Sequence, residues 1–120
     1  MLNNRELGTI GENIAAKYLN KNGYQIIERN FRKRYGEIDI IAKDKGYTVF
    51  IEVKLRRSVK YGYPGEAVNL YKQNKIKKIA EVYLYENNRY DYKIRFDVIE
   101  IIMDKDNNIQ SINLIKNAFN

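Results

Sequence analysis

The 120-residue sequence predicts an α/β (α+β) domain in which a mixed β-sheet is flanked by helices. Three observations lead to this prediction. The length suits one compact domain spanning residues 1–120. An apolar fraction of 44% is enough for a modest core. The hydrophobic periodicities run in the order helix, three strands, helix, two strands.

The first element is an amphipathic helix, predicted over residues 6–22 and ended by Gly23. Gly8 and Gly11 lie inside it, and each should cost about 1 kcal/mol relative to alanine. Glycines at interior helix positions suggest that another backbone or a ligand approaches closely there.

The remaining elements are recognised by their apolar patterns. Segments rich in Ile, Val, Phe and Tyr, separated by charged or Gly-containing turns, predict strands over residues 24–31, 36–43 and 47–55. A second helix follows over residues 64–86, with an inward apolar stripe. Two further strands are predicted over 93–103 and 109–115, joined by a polar turn.

The chain is basic, with 22 Lys and Arg against 15 Asp and Glu, a net charge of +7 and a sequence pI near 9.5. Residues 31–60 alone carry +5, because nine basic residues there face four acids. A biased composition would spread the lysines evenly, so the clustering favours a polyanionic partner, nucleic acid rather than a membrane. The residues predicted to grip it are Arg32, Lys33, Arg34, Arg56, Arg57, Lys60 and Lys72.

The sequence contains neither Cys nor His, which excludes a disulfide framework, a zinc–thiolate site and histidine-based catalysis. Any metal must therefore be held by oxygen ligands, which favours Mg²⁺ or Mn²⁺. The first twenty residues show no signal-peptide pattern, and no run approaches the roughly 18 apolar residues of a membrane helix. A cytoplasmic protein is predicted.

Two carboxylates are predicted to face each other across the hairpin of the second and third strands. With a four-residue loop over 44–47, Asp39 lies opposite Glu52 and Glu37 lies opposite Lys54. Two carboxylates about 5 Å apart repel by roughly 3 kcal/mol at an effective dielectric constant of about 20. A divalent cation between them would compensate, with Lys54 placed to steady a water nucleophile or phosphate charge.

The alternative interpretation is an exposed hairpin carrying an ordinary surface ion pair. The apolar residues that flank both acids argue against it, since they suit strands buried on both faces. On the second helix Asn69, Lys72 and Gln73 also fall within the inward stripe. That indicates either a polar site near the helix start or a helix end that emerges into solvent.

Several motifs together resemble the YraN-like family of small bacterial proteins, in order from Gly8 to about Ile101. They are Gly8-x-x-Gly11-Glu12 with Ala15 and Leu19, Gly23-Tyr24, Arg29-Asn30, Gly36-Glu37-Ile38-Asp39-Ile40-Ile41-Ala42, Phe50-Ile51-Glu52-Val53-Lys54 with Arg56, and Arg95-Phe96-Asp97-Val98. That family looks like a minimal member of the PD-(D/E)XK nuclease superfamily, similar in its core to archaeal Holliday-junction resolvases.

The resemblance implies a restriction-endonuclease-like αβββαβ core, a carboxylate-bound Mg²⁺ (or Mn²⁺) and hydrolysis of DNA phosphodiester bonds, including branched or flapped DNA. It implies that Asp39 and Glu52 are metal ligands and that Lys54 is the catalytic lysine. Glu12 would match the glutamate on the first helix of resolvase-like members, and Gln73, or less surely Lys72, a polar residue on the helix after the motif. Ile38 departs from the family pattern, because it stands where the superfamily name has proline.

Four questions stay open at this point. Glu12 projects at the edge of its helix stripe, so it could be a direct metal ligand, a water-mediated one or a surface acid. Tyr35, Tyr61 and Tyr63 could stack on bases or simply pack. The function itself has an alternative, a non-catalytic nucleic-acid-binding adaptor with a degenerate nuclease fold. The sequence does not decide the oligomeric state, and a homodimer is compatible with it.

Overall fold

The computed structural model describes residues 3–57, 68–88 and 93–120. Within these ranges the predicted order of helices and strands is confirmed. The elements are α1 (Asn4–Lys21), β1 (Gln25–Lys33), β2 (Gly36–Asp44), β3 (Tyr47–Arg56), α2 (Leu70–Glu86), β4 (Ile94–Met103) and β5 (Ile109–Phe119).

The five strands form one mixed sheet in the order β1-β2-β3-β4-β5. β3 and β4 are parallel, because the chain passes through α2 between them, and the other neighbouring pairs are antiparallel. The α+β class and the αβββαβ core are as expected, with β5 added at the edge beside β4.

The two helices pack on opposite faces of the sheet, since alternate residues of each strand point to opposite sides. The α1-side core joins the helix to β2, β3 and β4 through Ala15, Leu19, Ile40, Ala42, Val49, Ile51, Ile99 and Ile101. The α2-side core contains Phe31, Ile38, Ile41, Phe50, Ile76, Ile79, Ala80, Tyr83 and Phe96. Both faces of the central strands are therefore buried, as their apolar sequences indicated.

Gly11 accounts for the close packing of α1 on the sheet. A Cβ atom added there would lie 3.3 Å from Cβ of Leu55 on β3, a tight contact that a larger residue would make tighter. The close approach at this glycine comes from the Leu55 side chain, rather than from the backbone or ligand that the sequence suggested.

Two predicted boundaries differ from the structure by more than two residues. Asn69 caps α2 by accepting a hydrogen bond from the Lys72 backbone N–H at 2.9 Å, so the described helix begins at Leu70, and residues 64–67 lie outside the described ranges. β5 extends past residue 115 because the ring of Phe119 stacks on Phe96, with centroids 5.0 Å apart.

The turn between β2 and β3 is tighter than predicted. Lys45 and Gly46 both have positive φ, 49° and 87°, as the favoured two-residue hairpin turn requires, and Asp44 pairs with Tyr47. The predicted four-residue loop over 44–47 is therefore wrong, because the loop has two residues and Asp44 and Tyr47 pair within the ladder. Both loops have an even number of residues, so the predicted register, with Lys43 opposite Thr48, is confirmed.

In the described ranges, neither helix combines the length and hydrophobicity needed to cross a bilayer.

Candidate active site

Asp39 lies where the regular hairpin ends. The β2–β3 ladder stops at Ile40 opposite Ile51, one residue before the predicted pair of Asp39 and Glu52. Instead of a backbone ladder bond, Oδ2 of Asp39 accepts a hydrogen bond from the Val53 backbone N–H at 2.8 Å. The two acids are thus on neighbouring strands as predicted, but they do not form a ladder pair.

The alternation of β2 is irregular at the same place. Ile38 and Ile41 both belong to the α2-side core, whereas Ile40 belongs to the α1-side core, so the strand does not alternate strictly around Asp39. On β1, Asn30 lies between the residues paired with Ile38 and Ile40 and has a φ of 54°. This irregularity sets Asp39 at a position that borders clefts on both faces of the sheet.

The electrostatic surroundings of Asp39 disfavour its charged form. Burial, followed by the negative charge of Glu52, raises the pKa of Asp39 to about 8, although the Val53 N–H favours the carboxylate. Glu12 and Glu37 act in the same direction as Glu52. Carboxylates are therefore gathered around Asp39 without enough positive charge to balance them.

Glu52 and Lys54 occupy successive positions on the α2-side face of β3. Glu52 is 7% exposed, and its Oε1 forms an ion pair with Nζ of Lys72, which reaches over from α2. Burial, and next the charge of Lys72, lowers the pKa of the Lys54 ammonium. A lysine with a lowered pKa that lies beside a buried acid can donate a hydrogen bond to water or to a phosphate oxygen.

Glu12 points from α1 toward the same acids. It is half-buried, and burial together with the charge of Glu37 raises its pKa. With its nitrogen turned toward the carboxylate, the Asn30 amide lies 2.6 Å from Oε1 of Glu12. Glu12 is thus not a plain surface acid, and it borders the site from the α1 side.

Two clefts meet at Glu37 and Asp39. The α1-side cleft has a volume of about 560 Å³ and is lined by Asn4, Arg5, Leu7, Gly8, Thr9, Gly11, Glu12, Arg29, Asn30, Arg32, Glu37, Asp39, Val53, Leu55 and Arg57. The α2-side cleft has a volume of about 400 Å³ and is lined by Tyr35, Gly36, Glu37, Asp39, Glu52, Asn69, Tyr71, Lys72, Lys75, Ile76 and Ile79. Asp39 is therefore reachable from both faces of the sheet.

The site offers some of the oxygen ligands that a hard divalent cation requires. Asp39 and Glu52 supply carboxylate oxygens, and their mutual repulsion is the charge imbalance that a cation relieves. Among the described residues, no three acidic side chains come close enough together to enclose an ion. A cation here would be held by the two carboxylates, with water or substrate oxygens completing its coordination.

Gln73 is not placed in the site. Its Nε2 donates to the backbone carbonyl of Val68 at 2.8 Å, so the side chain folds back onto the start of its own helix. Lys72 is the α2 residue that contacts Glu52. The first choice of Gln73 over Lys72 is therefore corrected, because a charged and longer side chain reaches the buried acid.

Among the predicted nucleic-acid contacts, Arg32 and Arg57 line the α1-side cleft, and Lys72 lines the α2-side cleft. Nε of Arg32 is 2.8 Å from Oε2 of Glu37. Arg56 adds its positive charge near Lys54.

Two other predicted contacts, Lys33 and Arg34, do not line either cleft. Lys33 is held away from both clefts by Glu86, 2.8 Å from its Nζ. Arg34 lies over the ring of Tyr35, which is 72% exposed at the α2-side cleft. Lys60, Tyr61 and Tyr63 fall outside the described residues.

Sequence reasoning missed Glu100. This acid is 1% exposed and lies opposite Lys54 in the parallel pairing of β3 with β4, where its charge favours the ammonium form of Lys54. The available signal was a lone acid within the apolar run from Val98 to Met103, a position where a charge needs a reason.

Comparison with known proteins gives a consistent family. The model of the "Uncharacterised protein family UPF0102" matches residues 11–101. A UPF0102 protein of Acetivibrio thermocellus is 51% identical over 98% of this chain and 93% of its own. A UPF0102 protein of Caldicellulosiruptor saccharolyticus is 49% identical over 98% of this chain and 100% of its own. A UPF0102 protein of Clostridium botulinum is 54% identical over 97% of this chain and 95% of its own.

Proposed function

This chain belongs to the UPF0102 family, and we propose that it is a Mg²⁺-dependent nuclease that hydrolyses phosphodiester bonds in DNA. Asp39 and Glu52 would hold the metal, and Lys54 would act on the attacking water or the phosphate. Mn²⁺ would serve in place of Mg²⁺, because it accepts the same oxygen ligands.

The observation that carries this proposal is that Asp39, which borders both clefts, is buried beside a second acid, Glu52. A fold does not normally retain a carboxylate with a pKa raised to about 8 by burial and a second acid, as at Asp39, unless something else needs it there. Strongly perturbed acids in a cleft are typical of sites that bind a cation and a substrate.

Each residue of the site has its own role in the proposed reaction. When bound, a divalent cation supplies positive charge that polarises the phosphate and favours ionisation of water. The Val53 N–H fixes the orientation of the Asp39 carboxylate at 2.8 Å. Lys54 donates a hydrogen bond toward the reacting oxygens and offsets negative charge that develops on the phosphate. Glu12 borders the site from α1 and can orient water there.

The clefts support a nucleic-acid substrate that bends or branches. One cleft lies on each face of the sheet, and Asp39 borders both. Two strands of a branched or flapped DNA could therefore approach Asp39 from opposite faces of the sheet. Arg32 and Arg57 on one side and Lys72 and Lys75 on the other would hold phosphates without reading bases.

The test is a cleavage assay on linear, flapped and four-way DNA in Mg²⁺ or Mn²⁺, with EDTA as the blank. We expect Glu52→Gln and Lys54→Met to reduce cleavage by at least about a hundredfold, while both bind DNA within a fewfold of wild type. Lys93→Met, an exposed lysine outside both clefts, is the matched control. Cleavage that persists in Glu52→Gln would show that the activity comes from elsewhere.

One observation favours a second candidate, a non-catalytic nucleic-acid adaptor. Lys72 already neutralises Glu52, and the described residues contain no three-acid cluster. An adaptor would bind DNA with a steep salt dependence, cut nothing in either metal, and bind unchanged after Glu52→Gln. The cleavage assay therefore separates the two candidates directly.

A further inference from the structure

Gly8 has no explanation within the folded chain. It is exposed on the helix α1 and lines the α1-side cleft, and a Cβ atom added there would meet nothing within 4 Å. Alanine would fit without strain and is the better helix former. The folded protein by itself therefore gains nothing from glycine at this position.

At Gly11, one turn later, packing within the fold does explain the glycine. Its added Cβ would lie 3.3 Å from Cβ of Leu55, so packing against the sheet requires a small residue there. The open face at Gly8 instead exposes helix backbone to the cleft, and close approach of a ligand is the other common use of a helix glycine.

The charges around Gly8 identify the chemistry of that ligand. Arg5 on α1 and Arg57 just after β3 line the same cleft, and within the described part of the chain neither forms a salt bridge. Guanidinium groups bind phosphate through paired hydrogen bonds. Glu12 and Glu37 lie at the Asp39 end of the cleft, so in the absence of a bound cation phosphates are favoured near the arginines.

We propose that the α1-side cleft is a strand-binding subsite in which the sugar–phosphate backbone of a nucleic acid passes directly against α1 at Gly8. Arg5 and Arg57 contact its phosphates. This inference rests on the proposed function in one respect, since the same strand then continues to the scissile phosphate at Asp39. Neither Gly8 nor Arg5 belongs to the acid–lysine machinery, so the subsite can be tested without touching it.

The experiment fills the cleft stepwise without disturbing the helix. Gly8→Ala and Gly8→Leu add one and four carbon atoms at a good helix position, and Asn20→Ala raises helix propensity near the other end of α1, away from the cleft. Thermal unfolding and the affinity for fluorescein-labelled single-stranded DNA, RNA of the same sequence and forked DNA are measured in EDTA, where no metal-dependent cleavage can occur.

We expect Gly8→Ala to raise the melting temperature by about 2–5 °C. Its affinity should fall by about threefold, and that of Gly8→Leu by about tenfold or more, corresponding to the loss of one close contact. Asn20→Ala should bind as wild type. Arg5→Ala and Arg57→Ala should each lower the slope of log affinity against log salt by about one. Equal losses on DNA and RNA would place the contact on the phosphates.

Wild-type affinity in Gly8→Leu for all three probes would overturn the subsite. If Gly8→Leu also cleaves DNA as wild type does, the nuclease proposal stands and only the subsite fails. If wild type cuts nothing in Mg²⁺ or Mn²⁺ but Gly8→Leu loses affinity, the subsite stands and the nuclease proposal fails.

Discussion

Two buried charged clusters in the same sheet have opposite electrostatic balance. In the first, which we call the Arg95 cluster, Arg95 contacts Asp97 at 2.9 Å and Asp44 at 2.8 Å, and the Tyr24 hydroxyl donates to Asp97 at 2.7 Å. In the second, the acidic site formed by Asp39, Glu52 and Glu12, the described residues include no arginine that forms a salt bridge with these acids, and Lys72 pairs with Glu52.

The difference appears in the pKa values. Burial acts to raise the pKa of Asp44, but the hydrogen bond from Arg95 and the charge of Lys116 outweigh it and hold that pKa below its usual value. At Asp39 burial and a neighbouring acid act together, and the pKa rises. The Arg95 cluster therefore stabilises the fold, whereas the acidic site costs stability.

The largest expected effect comes from breaking the Arg95 cluster. Arg95→Met should lower the free energy of unfolding by about 3–5 kcal/mol, because Asp97 stays buried without its cation and Asp44 keeps only the more distant Lys116, at 3.6 Å, among the described residues. Urea denaturation measures this loss. Tyr24→Phe, which removes the hydrogen bond donated to Asp97 and the one accepted from Arg95, should cost less, about 1–2 kcal/mol. A loss below 1 kcal/mol in Arg95→Met would show that the cluster is not what stabilises this end of the sheet.

Divalent cations should stabilise the acidic site by a smaller amount. Saturating Mg²⁺ or Mn²⁺ should raise the free energy of unfolding by about 1–3 kcal/mol, because the folded state alone presents both carboxylates together. Thermal unfolding with NaCl at matched ionic strength separates binding from screening. The gain should vanish in Glu52→Gln and persist in Tyr24→Phe.

Removing the charge at Asp39 should stabilise the metal-free protein. Asp39→Asn keeps an oxygen for the Val53 N–H, and at pH 8.5 we expect a gain of about 1–2 kcal/mol. The carboxyl ionises near pH 4 in the unfolded chain and near pH 8 in the folded one, so its cost grows as the pH rises between those values. Denaturation at pH 4 should therefore show no gain, and an equal gain at both pH values would contradict this account.

The smallest expected effect is at the ion pair between the acidic site and α2. Lys72 is 45% exposed and the charge of Lys54 stays near Glu52, so Lys72→Met should lower the free energy of unfolding by less than about 1 kcal/mol. Because Lys72 and a cation compete for Glu52, the same variant should bind Mn²⁺ more tightly by a few fold. Calorimetric titration measures this, with Lys75→Met as the control in the same cleft. Weaker Mn²⁺ binding in Lys72→Met would contradict the competition.

Much of the acidic site could be predicted because strand periodicity is simple. Parity alone placed Glu52 and Lys54 on one face of β3 and brought Asp39 to the neighbouring strand. The choice between Gln73 and Lys72 could not be made in this way, since a helical projection gives only the direction of a position. Which of two adjacent side chains folds onto its own helix and which reaches an acid depends on length and charge in the assembled structure.

The sequence by itself determined the order of the elements, the register of the β2–β3 hairpin and the excess of basic residues in the segment 31–60 that carries both acids, because these depend on local patterns. Only the tertiary structure decided that regular pairing stops at Asp39, that Glu100 lies opposite Lys54, and that two clefts meet between α1 and α2. The physical reason is that burial and the charges brought near by distant segments are set by the packed fold, not by residues adjacent in the chain.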